Sequence, residues 1–217
     1  RSVMVGVNPP GHFLYYPGTT DEQIGCYAAL CAKDDGGRAR TADLSASIRQ
    51  ANAEIPDRWL FLPIKKGNVR IASFFGLMES VPAGAPFAAP TIVNMWLAAG
   101  EGDPSGLWFG SFVADVLFSK LFVWGQYASF ARADAQAARD YFSSGGPDDG
   151  TNLGRTATTY GWGGGRLADA WPAAPDENQY SKVRTSNVET LLVGGELDFS
   201  TPPQIMTKKL LPSLPNG

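Results

Sequence analysis

Two segments, one near each end of the chain, have the hydrophobic pattern of β-strands. Arg1–Val7 alternates apolar and polar positions and is rich in valine, and Val188–Val193 is a largely apolar run that stops at two glycines. The roughly 180 residues between them are patterned mainly for helices and loops. We expect the two strands to pair in parallel, with the helical segment packed to one side of their carboxyl ends.

The central segment contains several predicted helices. The clearest ends at Pro56, and its apolar face is formed by Leu44, Ile48, Ala51 and Ile55 at helical spacing. Polar residues and prolines mark the starts of others. Thr19 or Thr20 is the predicted N-cap of a helix that reaches Lys33, and Asp103 precedes Pro104 at the predicted start of another. Shorter helices are predicted at 90–100, 134–142 and 203–211.

Two further segments are not patterned as helices. Residues 58–75 predict a hairpin that turns at Lys66-Gly67-Asn68, with Pro63 in an edge position. Residues 143–180 are rich in glycine and proline and predict a loop. Within that loop, GWGGGR (161–166) lacks the spacing of either nucleotide-binding glycine motif, so we interpret it as a loop without a phosphate site.

Charge and hydropathy narrow the range of partners. The chain has 18 Lys and Arg residues against 21 Asp and Glu, a net charge of −3, and no basic stripe, so nucleic-acid binding is not predicted. The most apolar stretch, Ser111–Gly125, is interrupted by Asp115 and Lys120 and is too short to span a membrane. We therefore predict neither a nucleic-acid partner nor a membrane span.

Residues that could bind metal or form disulfides are few. His12 is the single histidine, and the two cysteines, Cys26 and Cys31, do not form a metal-ligand spacing with it. On one helix the two cysteines would project roughly 140° apart, which is unfavourable for a disulfide. We predict two buried free thiols, no metal site and no cofactor.

The most specific pattern is GGELDFSTPP, residues 194–203. Asp198 follows the carboxyl end of a predicted buried strand, where α/β sheets place their working groups. The same residue could instead cap a helix that begins near Pro203 or stabilise the turn through an Asx bond. The spacing alone leaves both interpretations open.

A family resemblance favours the first interpretation. The segment TLLVGGELDFSTPPQIMTKKLLPSLPNG resembles the acid-bearing segment of serine α/β-hydrolases, in which a strand leads into G-x-x-D-x-x-T-P. It is most similar to the actinobacterial branch related to tripeptidyl aminopeptidases and proline iminopeptidases. RSVMVGVNPPGHF similarly resembles the preceding core strand of that family. Together these segments cover roughly 40 residues, and the family inserts its cap, or lid, between them.

The resemblance implies the fold, the domain boundaries and the activity. The fold class would be α/β, with residues 1–13 and 186–217 belonging to the core and residues 14–185 forming a helical cap. Asp198 would be the acid of a catalytic triad and would orient a histidine during acyl hydrolysis of a peptide or ester. An exported or cell-envelope location is compatible with the same family.

The chain departs from the family pattern at the two other triad positions. None of its serines stands in G-x-S-x-G, and its one histidine, His12, precedes Asp198 although the fold has the order Ser, acid, His. We therefore expect the chain to be a fragment that is inactive alone, with the serine before Arg1 and the histidine after Gly217. Exposed core strands of such a fragment would favour association.

Three residues are candidates for substrate contact in the intact enzyme. Trp108 and Trp124 belong to an aromatic-rich stretch that would form the apolar wall of a cap, and His12 follows the first strand. The alternative hypothesis is a non-enzymatic module that binds a peptide or carbohydrate along an aromatic-lined surface, with Asp198 as a turn residue only.

Overall fold

The structure is a computed structural model that describes residues 1–80, 87–146, 150–172 and 182–217. These residues are mostly helical. In chain order, the strands and helices are β1 (Ser2–Val5), α1 (Pro17–Cys31), α2 (Asp35–Arg40), α3 (Leu44–Ala53), β2 (Arg58–Trp59), β3 (Leu62–Pro63), α4 (Lys66–Leu77), α5 (Ala89–Gly100), α6 (Ser105–Val113), α7 (Ser119–Leu121), α8 (Trp124–Ala131), α9 (Ala135–Ser143), α10 (Thr156–Gly161), α11 (Arg166–Ala170), β4 (Thr190–Val193) and α12 (Pro203–Ile205).

The two terminal strands pair in parallel, as predicted. Ser2 lies opposite Thr190 and Val5 lies opposite Val193, so that the carboxyl ends of β1 and β4 meet at one edge. The pairing continues one residue further, because the Gly6 amide donates to the Val193 carbonyl at 2.9 Å. Within the described part of the chain no further strand joins this pair.

The helices between these strands form the main core. Leu44, Ile48 and Ala51 are buried on one face of α3, as their spacing predicts, and Ile55 is buried just beyond the helix end. Asp43 caps this helix, since its Oδ1 accepts from the Ala46 amide at 3.0 Å. α3 packs on α5, and α4 packs on α6, which places the apolar faces of these helices in one core.

The predicted long hairpin is wrong in its turn and in its second strand. β2 and β3 do pair antiparallel, but the chain reverses at Leu60 and Phe61, and Leu60 adopts a φ of 55°. Residues from Lys66 onward form α4, with Val69 and Ala72 fully buried. Gly67 and Asn68 fit the first turn of a helix because the amides there need no intrahelical acceptor.

The predicted loop at 143–180 is also partly wrong. α10 and α11 lie within it, joined by a 3₁₀ turn at Gly163–Gly165 in which each glycine has positive φ. The predicted positions at 147–149 and 173–180 lie outside the described residues.

Two helix boundaries also differ from the prediction. α1 begins at Pro17 rather than at Thr19 or Thr20, because proline suits the first helical position. The predicted last helix is divided into α12, a π-helical turn at Met206–Leu210 and a 3₁₀ turn at Leu211–Ser213.

The segment after β4 packs directly against the helices α1 to α11 that lie between the two terminal strands, which are called the helical insert from here on. Phe199 is only 2% exposed, and its ring lies 6.0 Å from the rings of both Tyr27 in α1 and Phe74 in α4. A smaller apolar cluster, which includes Leu14, Ala138 and Trp162, joins α9 to the segment after β1. The described helices therefore share packing with both terminal strand segments.

Among the described helices, none alone is long and apolar enough to cross a membrane. One pair, Ser105–Leu121 and Trp124–Ser143, is long and apolar enough when taken together, but the two helices are bent by 78° relative to each other.

Candidate functional site at the carboxyl edge of the strands

Asp198 lies where β1 and β4 end. A Cβ atom added to Gly6, the residue after β1, would stand 3.7 Å from Asp198 Oδ2 and 3.1 Å from Thr201 Oγ1. Gly6 also has a φ of 56°, which side chains other than glycine adopt rarely. The carboxylate is half-buried. The segment that carries it, residues 194–201, is called the acid loop from here on.

Hydrogen bonds within the acid loop fix the carboxylate. Asp198 Oδ1 accepts from the Ser200 amide at 2.9 Å and from the Thr201 amide at 2.7 Å, and Oδ2 accepts from the Thr201 hydroxyl. An ionised carboxylate offers about four acceptor positions, and these bonds fill three of them. Among the described residues no other donor to Oδ2 is found, which leaves one position on this oxygen for a donor from outside the loop.

The same bonds show whether Asp198 caps a helix or stabilises a turn. Both amide donors, Ser200 and Thr201, precede α12, which begins at Pro203, so Asp198 stabilises the turn and does not cap the helix. A turn role and a catalytic role remain compatible, because the turn leaves one acceptor position unused.

His12 lies beneath the acid loop and is 2% exposed. Neither ring nitrogen has a hydrogen-bond partner of normal geometry among the described residues. The pKa of His12 is lowered to about 4, mainly by burial; the Ser200 backbone and the Asp198 carboxylate act to raise it, and the nearby Lys209 acts to lower it. The imidazole is therefore neutral at pH 7. The ring exposes almost none of its area, and substrate contact by His12 stays a prediction.

The segment after β1 makes three hydrogen bonds with distant parts of the chain. Asp134, at the end of a 3₁₀ turn before α9, accepts from the Phe13 amide at 2.9 Å. Lys209 Nζ donates to the Gly11 carbonyl at 3.0 Å, and Asn8 Nδ2 donates to the Ser200 carbonyl at 3.3 Å. Burial raises the pKa of Asp134, while the amides of Phe13 and Gly11 and the charge of Lys209 act in the opposite direction.

A series of ring contacts leads from His12 into the helical insert. The His12 ring lies 5.3 Å from Tyr15, and Tyr15 lies 5.1 Å from Phe74. Phe74 in turn contacts Phe75, from which Tyr160 is 5.9 Å away. Trp124 completes the series, because its ring lies 5.5 Å from Tyr160.

The rings of this series other than His12, together with Phe122 and Tyr127, line a cavity of about 30 Å³. Trp124 is 37% exposed at its margin. The Tyr127 hydroxyl is buried there without a hydrogen-bond partner among the described residues, and burial raises its pKa. The Tyr160 hydroxyl donates to the Phe118 carbonyl at 2.6 Å.

Trp108 is placed differently from the other two candidate contacts. Its ring lies 5.4 Å from Trp59 and 5.7 Å from Phe112, on the side of the insert formed by β2 and α6. In the part of the chain that the structure describes, no ring contact connects Trp108 with His12 or Trp124. The structure thus brings His12 into the neighbourhood of Asp198 and links Trp124 to it, whereas Trp108 belongs to another surface.

The two cysteines are less buried than predicted. Cys26 and Cys31 are free, but they are half-buried rather than buried. Within the described ranges, no group of three His, Cys, Asp or Glu side chains is placed to hold a metal ion.

Asp134, Lys209 and Thr201 were not identified from the sequence. Thr201 had a usable signal, because a threonine three residues after an aspartate is typical of local side-chain turns. Asp134 and Lys209 had none, since their partners Phe13 and Gly11 lie far away in sequence.

No protein-family model matches the chain, and no curated protein and no solved structure matches it either.

Proposed function

We propose that the chain is the cap-containing part of a serine α/β-hydrolase and that Asp198 is the acid of its catalytic triad. The observation that supports this most directly is the open acceptor position on Asp198 Oδ2 at the shared carboxyl edge of two parallel strands. In the intact enzyme this position would accept from the Nδ1–H of a histidine. The carboxylate would then fix the imidazole tautomer and stabilise the imidazolium formed as the serine attacks an ester or peptide carbonyl.

The strand pair supports a larger sheet around this site. Val3, Val5, Leu191 and Val193 share one face of the pair, and each is between 41% and 72% exposed. A two-stranded sheet with an uncovered apolar face is marginal in water. In the proposal, flanking polypeptide outside the 217 residues supplies further strands, the nucleophilic serine and the histidine.

The alternative, an aromatic-lined binding module, has weaker support. The aromatic cavity beside Trp124 holds about 30 Å³, whereas sites for small ligands are on the order of 300 Å³ or more. The hydrolase proposal is therefore preferred.

The test uses the enzyme expressed with its flanking coding sequence. Asp198→Asn keeps the acid loop, because the amide oxygen can accept from Ser200 and Thr201 while its NH₂ donates to the Thr201 hydroxyl. It removes the negative charge that stabilises the imidazolium. We expect kcat on an aminoacyl p-nitroanilide or p-nitrophenyl ester to fall about 10⁴-fold, with little change in thermal stability.

Glu196→Gln is the matched control, because Glu196 is an exposed carboxylate in the same loop. Its kcat should stay close to that of the unmodified enzyme. Equal activity of Asp198→Asn and Glu196→Gln would refute the triad role. The 217-residue chain alone should not react with a fluorophosphonate probe, and stoichiometric labelling would show a nucleophile within it.

A further inference from the structure

A second surface, distant in the chain from the acid loop, combines exposed apolar side chains with basic ones. Leu60 and Phe61, at the tip of the β2–β3 hairpin, are 69% and 84% exposed. Phe112 and Val116, on α6 and the π-helical turn that follows it, are 51% and 42% exposed. These four side chains are called the hairpin face.

The hairpin is held firmly against α6. The Trp108 ring lies between Trp59 of β2 and Phe112 of α6, at 5.4 and 5.7 Å from their rings. The Lys65 amide donates to the Ser111 hydroxyl at 2.9 Å, which ties the segment after β3 to the same helix. The apolar tip is therefore displayed on a packed support.

The backbone conformation at the hairpin tip is unfavourable in the free chain. Leu60 adopts a φ of 55°, and it is the only residue other than glycine with positive φ among those described. This conformation is unfavourable for an L-residue, by about 1 kcal/mol or more. The hairpin keeps this turn although it leaves two large apolar side chains in water, and a partner that covers them would account for the arrangement.

Basic residues lie close in sequence to the hairpin face. Segments 57–66 and 111–121 carry four basic residues and two acidic ones, so they are locally positive in a chain whose net charge is −3. Arg58, Lys66 and Lys120 are exposed. Lys65 is paired with Asp115 at 2.7 Å, whereas Arg58, Lys66 and Lys120 have no ion pair among the described residues; Asp57 is the remaining acidic residue of these segments and is exposed.

We propose that the hairpin face docks on a membrane surface that contains anionic phospholipid. Phe61 and Leu60 would insert among the head groups and upper acyl chains, and Arg58, Lys66 and Lys120 would meet the lipid phosphates and carboxylates. A second copy of the chain fits less well, because a symmetric contact would bring the same positive segments against each other. The proposal is independent of the catalytic role of Asp198.

Vesicle co-sedimentation of the 217-residue chain tests the proposal. The probes are vesicles of pure phosphatidylcholine and vesicles in which roughly a third of the lipid is phosphatidylserine. We expect binding to the anionic vesicles that weakens as salt is added. Phe61→Ser should lower the partition coefficient about tenfold or more, as expected for withdrawing one buried phenylalanine.

Phe130→Ser is the matched control, since Phe130 is 63% exposed on α8 and lies outside the hairpin face. It should bind vesicles like the unmodified chain. The double variant Lys66→Glu, Lys120→Glu changes only exposed positions and should lose the preference for anionic vesicles. It keeps the proposal testable if Phe61→Ser alters folding.

Three results would overturn the proposal. They are absence of binding to anionic vesicles, equal loss of binding in Phe61→Ser and Phe130→Ser, and a concentration-dependent dimer in gel filtration that Phe61→Ser abolishes. The third result would assign the hairpin face to a second copy.

Discussion

Lowering the pH from 7 to 5 should destabilise this protein through one residue, His12. Burial lowers the pKa of His12 to about 4 in the folded chain, whereas an unfolded chain has the usual value of about 6.5. Between these two values the unfolded state binds a proton and the folded state does not. Stability is therefore retained above about pH 6.5 and is lost as the pH falls towards 4.

The folded and unfolded pKa values of His12 set the size of this loss in the free energy of unfolding. The complete difference corresponds to about 3 kcal/mol, of which about 2 kcal/mol is already lost at pH 5. Two charged groups face the ring: Lys209 lowers the pKa and Asp198 raises it. Asp134, which holds the neighbouring Phe13 amide, has a raised pKa and acts in the opposite direction, because protonation stabilises its buried form.

Urea unfolding at several pH values measures the effect, and His12→Leu isolates it. Neither imidazole nitrogen has a hydrogen-bond partner of normal geometry among the described residues, so leucine should leave the free energy of unfolding at pH 7 unchanged or higher. The variant should lack the loss of about 2 kcal/mol between pH 7 and 5. The contribution of Asp134 to the pH dependence is present in both proteins and largely cancels in the comparison.

His12 is the only histidine, so its imidazole signals in a proton NMR titration report a single site. They should titrate near pH 4 in the folded protein. A titration near pH 6.5, or parallel stability curves for His12→Leu and the unmodified chain, would refute the reasoning.

Two further predictions concern packing in the helical insert, and both are measured by urea unfolding. A Cβ at Gly76 would stand 2.5 Å from the Ile92 side chain, which is fully buried, whereas a Cβ at Gly25 meets nothing within 4 Å. Gly76→Ala should therefore be about 1 to 3 kcal/mol less stable than Gly25→Ala, and equal stability would show that α4 and α5 can separate at this contact. Ser73→Ala should destabilise by about 1 to 3 kcal/mol, because the buried Trp96 Nε1–H donates to the Ser73 hydroxyl at 2.9 Å, and a negligible change would mean that the indole finds another acceptor.

Local pattern was sufficient for several elements. The face of α3 followed from Leu44, Ile48 and Ala51, since an amphipathic period and a capping aspartate agree there. The parallel pairing of β1 and β4 followed from two isolated strand patterns and a long helical connection. The position of Asp198 at the strand edge is a direct consequence of that pairing.

The sequence pattern gave wrong predictions where residues that are typical of turns lie at the ends of helices. Lys66-Gly67-Asn68 has the composition of a hairpin turn, yet it forms the first turn of α4, whose buried residues Val69 and Ala72 decide the outcome through packing. The glycines at 163–165 favoured the prediction of a long loop. In the structure they form only the short turn that connects two helices, α10 and α11. In both places tertiary packing outweighs the composition of a few residues.

The acid loop and the helical insert are not independent parts, because one backbone segment connects them. Asp134 of the insert holds the Phe13 amide, and Lys209, beyond the acid loop, holds the Gly11 carbonyl two residues earlier. The buried His12 ring lies between these two anchors, under the acid loop. A displacement of the insert would therefore pull on the residues that support the acid loop and would break a hydrogen bond to a buried carboxylate, which is among the stronger kinds of hydrogen bond in proteins. In the proposed hydrolase, the position of the cap and the orientation of the triad acid would be coupled through residues 11–13.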